Sequence, residues 1–266
     1  NIMSGNHVSF LQNVYLAADV YAACLQHALT TEKEEVMGLL IGEVDRENAA
    51  SHIMACIILH RSDKQPDRVE ISPEQLCEAT IYADKLAQKL NRPLQVLGWY
   101  HSHPHITVCP SHIDLRTQST YQTLDQLFVG LIFSVYASDS GSVNNKVELI
   151  CFQARGNDNS LHRREIPLTI KPCQLNTHNL RAITDLPNIL MKEVLDISNT
   201  INDTGDEFAK LHNNALKTLQ QTEIASTVTL PMCDFLELRL NSVTTRLREL
   251  ELLKEQLKAQ VDLMSR

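Results

Sequence analysis

The chain has 266 residues, 43% hydrophobic and 21% charged, with only 8 Gly and 9 Pro; disordered, collagen-like and low-complexity classes are excluded, and one large domain or one domain with an appendage is expected. Its 24 Lys and Arg against 32 Asp and Glu leave a net charge of −8, without the basic footprint of a duplex-binding protein. No apolar run approaches ~18 residues and the first residues lack the series of a signal peptide, so a soluble, intracellular protein is expected, with Asn1 and Ile2 ahead of the first Met as a short non-native lead.

Tyr21, Cys24, Leu25 and Ala28 recur at helical spacing, and the apolar run 36–41 reads as a buried strand that ends at Gly42. Residues 53–59 form a second strand candidate. Ser72-Pro73-Glu74-Gln75 supplies an N-cap, a Pro at the first helical position and a Gln at the third, opening a helix to about Leu90. Strand signals return at 94–103, 128–136 and 147–152, the last two joined by the polar turn 138–146. This alternation predicts an α/β domain with a mixed sheet.

The composition changes after about residue 178, which sets the expected domains at 5–178 and 179–266. Residues 186–220 are helical in character, with an interruption expected at Gly205. From Leu236, positions 236, 240, 243, 247, 250, 254, 257, 261 and 264 step by four and three, and all but Lys254 are apolar. A 3.5-residue repeat sustained this long is the sign of a coiled-coil seam, so a partner helix from this or another chain is expected. The seven cysteines lie far apart with no C-x-x-C pair, as reduced thiols do.

The chemistry concentrates in Gly98-Trp99-Tyr100-His101-Ser102-His103-Pro104, followed by Ser111 and Asp114. Strand side chains alternate, so His101 and His103 project from one face and can offer two imidazole nitrogens to one ion. Asp114, at the start of a helix-like stretch, can add a carboxylate oxygen. Two His and one carboxylate make a catalytic zinc set, three protein ligands with the fourth position left to water. Such a site needs a base, and Glu32, Glu34 and Glu35 precede the first apolar strand; residue types alone do not choose among them. Other readings stand beside this one. Ser111-x-x-Asp114 also fits a capping box, His105 is an alternative third ligand unless Pro104 turns the chain first, and Glu32 to Glu35 is also a solvated charge run. Cys109 beside His103 or His105 is the raw material of a thiol protease.

Glu35-Val36-Met37-Gly38, His101-Ser102-His103-Pro104, Ser111 and Asp114 together resemble the complete JAMM signature of the MPN+ metalloproteases. Arg61-Ser62-Asp63-Lys64, residues 67–76 and residues 98–111 resemble the branch of that family found in the BRISC and BRCA-A deubiquitinase assemblies. The resemblance implies an MPN domain with a mixed sheet flanked by helices, followed by a helical, coiled-coil region. It implies a Zn2+ ion held by His101, His103 and Asp114, Glu35 as general base and Ser111 as donor to the oxyanion. The implied activity is hydrolysis of isopeptide bonds in lysine-63-linked ubiquitin chains, in cytoplasm and nucleus. The implied partner is an inactive MPN protein of the Abraxas family, engaged through the domain face and the helical bundle in a higher-order hetero-oligomer. Cys109 departs from the pattern, standing where an aromatic residue is expected. Segments 61–69 and 138–146 are the expected determinants of linkage choice. A scaffold role through the helical tail is the rival function.

Overall fold

The computed structural model describes residues 10–61, 71–137, 146–156, 160–172, 177–201 and 206–264. The chain divides into two units, Asn1–Glu193 and Val194–Arg266. The first contains β1 (Asn13–Ala17), α1 (Ala18–Ala28), β2 (Met37–Asp45), β3 (Ala50–Ile58), α2 (Pro73–Leu90), β4 (Gln95–Pro104), α3 (His112–Leu124), β5 (Val129–Ala137), β6 (Lys146–Arg155), β7 (His162–Ile166) and β8 (Leu168–Lys171). These strands form one mixed sheet in the order β7-β6-β5-β4-β2-β3-β1-β8. The pairs β4–β5, β1–β3 and β1–β8 are parallel and the others antiparallel.

The helices and strands expected between residues 21 and 152 are all present. Ser72 caps α2 in a reciprocal box with Gln75, and Pro73 sits in the first turn. One boundary differs from expectation: Gly42 does not end β2, which continues to Asp45 through a register shift between Ile41 and Gly42. A Cβ at residue 42 would collide with the His52 carbonyl on β3, so this glycine permits a bulge where its side chain would have to be. Strands β1, β7 and β8 were not anticipated. They are four or five residues long and lie towards the two edges of the sheet; so short a run leaves little periodic signal. The turn 138–145 and the segment 62–70 fall outside the described residues.

The core explains where the site must lie. On β4, Trp99 and Tyr100 are both fully buried, and as neighbours on a strand they face opposite ways. Trp99 packs in a cluster with Met37, Leu39, Ile132 and Phe152, against which Leu115 and Tyr121 of α3 also rest. Tyr100 faces α1, where its hydroxyl lies 2.9 Å from Nδ1 of His27. Burial, aided by the Arg61 guanidinium, pushes His27 down to about 3, so this ring is neutral at ordinary pH. The central strands are thus covered on both faces, and the polar side chains of β4 from His101 to His103 are buried whichever way they point.

Helix α4 (Thr177–Ile201) is followed by α5 (Glu207–Ile224), capped by Asp206. A five-residue π-helical segment (Ala225–Thr229) then joins α5 to α6 (Leu230–Met264). Gly205 itself is outside the described residues. All nine seam positions lie on α6; Leu236 and Val243 are half-buried and the other seven exposed. Among the described residues no helix is long and apolar enough to cross a membrane.

Gly38 of β2 pairs with Tyr100 and Ile58, and a Cβ there would collide with the Tyr100 ring and the Ile57 carbonyl. Gly38→Ala is therefore expected to destabilise the fold by ~1–3 kcal/mol through overpacking, read as a lowered denaturant midpoint at unchanged slope.

Candidate metal centre

Alternation along β4 brings the imidazoles of His101 and His103 to the face that carries Trp99, and both are buried. The Trp99 indole stacks on His101 with ring centroids 4.5 Å apart. The third side chain arrives on α3. Ser111 caps this helix, its hydroxyl accepting from the Asp114 amide at 3.2 Å while the Asp114 carboxylate accepts from the Ser111 amide at 2.6 Å. The capping-box reading of Ser111 and Asp114 therefore describes the structure, but it does not exclude the other reading. The same carboxylate lies 3.4 Å through Oδ1 from His101 Nε2 and 3.5 Å through Oδ2 from His103 Nε2.

Helix α3 is held in that position by Gln118, one turn beyond Asp114 and fully buried. Its Oε1 accepts from Trp99 Nε1 at 2.8 Å, and its Nε2 donates to the Phe128 carbonyl at 2.8 Å and to Gln122 at 2.9 Å. The amide is used on both sides, which ties the helix to the strand bearing the histidines. Sequence reasoning passed over this residue. The signal was its i+4 spacing from Asp114 together with a tryptophan two residues before His101.

His101, His103 and Asp114 could each offer one ligand atom to an ion, and these atoms lie within 4.8 Å of one another; the two Nε2 atoms are 3.1 Å apart. Around a tetrahedral ion with bonds of ~2.0–2.1 Å, ligand atoms stand about 3.3 Å from each other, so the observed edges suit a zinc-sized ion. The tautomer of His103 suits it as well. Its Nδ1 lies 2.7 Å from the Thr107 carbonyl, which only accepts, so Nδ1 carries the hydrogen and Nε2 presents a lone pair to the cluster.

Electrostatics point the same way. Burial pushes the Asp114 carboxyl up, but hydrogen bonds with His101, His103 and Ser111 outweigh it and hold the group well below the usual carboxylate range. Burial pulls His103 down, yet Asp114, the Thr107 carbonyl and the Glu35 carboxylate together raise it above its ordinary value. The pocket is negative enough to hold a cation.

The three early glutamates separate. Glu35 Oε1 lies 4.0 Å from His103 Nε2, at the edge of the cluster. Glu34 pairs with Arg61 at 2.7 Å, and the exposed Glu32 pairs with His105 at 3.2 Å. His105 has the left-handed φ of 61° and its ring stacks on Tyr136, so it stands outside the cluster and is no third ligand. Cys109 is exposed, and its sulfur meets Arg163 Nη1 at 3.1 Å. With both nitrogens of His103 engaged and His105 turned to Glu32, neither ring is arranged to activate this thiol.

Ser102, between the two histidines, points the other way. Its Oγ accepts from the Val36 amide at 2.9 Å, and its own amide donates to the Val36 carbonyl at 2.9 Å. The residue that follows Glu35 is therefore fixed to the strand that carries the histidine pair.

Comparison with known proteins agrees with this geometry. Residues 9–127 match the JAB1/Mov34/MPN/PAD-1 ubiquitin protease family, and residues 179–257 match the BRCC36 C-terminal helical domain. The Lys-63-specific deubiquitinase BRCC36 of Camponotus floridanus is 50% identical over 233 residues, covering 87% of this chain and 90% of that protein. The proteins of the same name from Xenopus laevis and Rattus norvegicus are 44% and 42% identical, over 93% and 96% of this chain and 96% and 97% of theirs.

Because Ser102 Oγ satisfies a buried amide, Ser102→Ala is expected to cost ~1–3 kcal/mol of stability. Urea unfolding of the two proteins checks this; an unchanged midpoint would mean the Val36 amide finds another acceptor.

Proposed function

Because the chain belongs to the JAB1/Mov34/MPN/PAD-1 ubiquitin protease family, we propose that it is a zinc-dependent deubiquitinase that hydrolyses isopeptide bonds in lysine-63-linked ubiquitin chains. The observation that carries this reading is the convergence of His101, His103 and Asp114 with the Glu35 carboxylate beside them. These three residues would hold one zinc ion per chain. When bound, the ion supplies Lewis acidity towards the scissile carbonyl and lowers the pKa of a water to roughly 7.

The remaining work falls to the chain itself. Glu35, partly exposed at the rim of the cluster, accepts a proton from the water that attacks the isopeptide carbonyl and returns it to the departing lysine amine. The carbon–nitrogen bond breaks as that amine leaves, and no covalent bond to the protein forms. Ser111 spends only a lone pair of its hydroxyl on the Asp114 amide, so its hydrogen is available to the oxygen that gains charge during attack. Asp114 is needed as the ionised ligand, and Gln118 and Trp99 keep it in register with the histidines.

We extend the reading to assembly. The exposed apolar side chains of α6, among them Leu247, Leu250, Leu257 and Val261, favour pairing with a helix of another chain. The resemblance offers an inactive MPN partner of the Abraxas family in a larger hetero-oligomer, acting in cytoplasm and nucleus. A scaffold that had abandoned catalysis would have no need to keep five functional positions, so the rival function is the weaker one.

Cleavage of defined-linkage ubiquitin chains, with zinc content measured on the same samples, tests the assignment. Glu35→Ala is expected to retain zinc and lose turnover, while His101→Ala loses both; turnover by the first variant at the normal rate would remove Glu35 from its role. Ser111→Ala is expected to lower kcat by ~10²-fold or more, the usual effect of deleting one oxyanion donor. An unaltered rate would reduce Ser111 to a helix cap.

A further inference from the structure

The segment between α1 and β2 has no regular secondary structure, yet it must aim one carboxylate at a cluster whose geometry tolerates little error. Besides Ser102, which accepts from the Val36 amide, three side chains from other parts of the fold hold it. The Tyr136 hydroxyl donates to the Leu29 carbonyl at 2.5 Å, His105 pairs with Glu32, and Arg61 Nη1 donates to Glu34 Oε2 at 2.7 Å. The first two are at the surface, where such contacts hold weakly. The Arg61 contact is different. Its side chain is only 11% exposed and binds Glu193, 2% exposed, through Nη2 at 2.7 Å and through Nε at 3.1 and 3.3 Å. The Arg61 backbone amide adds a further bond of 2.9 Å to the same carboxylate. A planar guanidinium fixed bidentately by a buried acid has almost no freedom left, so its remaining arm presents a rigid point to Glu34.

Glu34 and Val36 flank Glu35. Val36 is bonded to Ser102 on one side, and Glu34 is bonded to Arg61 on the other. With both neighbours pinned, the Glu35 backbone is set. Glu193, which fixes Arg61, lies on α4 within the stretch that matches the helical-domain family, so the clamp also ties that helix to the loop.

We propose that Arg61 is a positioning residue for the general base, acting through Glu34 on Glu35 by way of the contacts it makes with Glu34 and Glu193. The proposal rests on the reading of Glu35 as that base. Loss of one pin lets the carboxylate swing by an ångström or so, a displacement that costs up to ~10²-fold in rate.

The test uses the zinc-loaded full chain in its active assembly with lysine-63-linked diubiquitin. Glu34→Ala leaves Arg61 paired with Glu193, so no charge is stranded. Its kcat is expected to fall about tenfold or more with KM within about twofold, at unchanged zinc content and unchanged thermal midpoint. Glu34→Gln keeps an acceptor oxygen for the guanidinium and should recover most of the rate. Arg61→Ala combined with Glu34→Ala should be no slower than the slower single variant, since both remove the same contact. A Glu34→Ala enzyme with wild-type kcat overturns the clamp, as does a loss matched by lost zinc or a lowered midpoint, or a Gln variant as slow as the Ala one. Glu35→Ala run alongside separates the failures. If it still turns over, the base assignment falls and the clamp with it; if it is inactive while Glu34→Ala is unimpaired, only the clamp falls.

Discussion

The site depends on one docking event, the seating of the α3 N-terminus against the end of β4. Strand geometry can bring two imidazoles to one face unaided, but the acidic group must come from a different element. That element is registered by two amide side chains: Gln118, bonded to Trp99 on the strand and to the Phe128 carbonyl just before the next one, and Gln122, which exchanges two hydrogen bonds with Ala154 of β6. The capping box then turns the Asp114 carboxylate back towards the histidines. One carboxylate thereby ends a helix and faces a cation site, and the positive end of the helix dipole favours the charge it must carry for both tasks.

Burial makes the arrangement demanding. His101 and His103 are all but inaccessible, and Asp114 is 6% exposed. Groups so placed carry a desolvation cost that must be met by pairing. For His103 it is met within the cluster and by the Thr107 carbonyl, whereas His101 has its Nε2 beside Asp114 and His103 and its buried Nδ1 without a hydrogen-bond partner among the described residues. The carboxylate proposed as base is treated in the opposite way: Glu35 is left partly exposed on an irregular segment, between residues bonded to Arg61 and to Ser102. A ligand set wants rigidity and low dielectric, whereas a proton shuttle must meet both water and the leaving amine.

Much of this was legible in the residues. The capping box at Ser72, the alternation through His101 and His103, and the heptad of α6 are local patterns with local causes, and each appears at its expected place. Strands β1, β7 and β8 were not legible because four or five residues are too few to establish a period. The extent of β2 was misread because Gly42 looks the same in a turn and in a bulge; what distinguishes them is the His52 carbonyl on the neighbouring strand. His105 could not be ruled out by spacing, since its exclusion comes from a left-handed backbone and a stacked tyrosine more than thirty residues away.

By itself, then, the order of residues determined the candidate ligand types, their alternation on a strand and the helical period of the tail, because these follow from chain geometry over a few residues. Which of three adjacent glutamates faces the cluster was decided only in three dimensions. Arg61 takes Glu34 and His105 takes Glu32, leaving Glu35 for the site, and those partners lie 27 and 73 residues distant along the chain. Pairing between charges that far apart is set by how the sheet and helices pack, which no local pattern encodes.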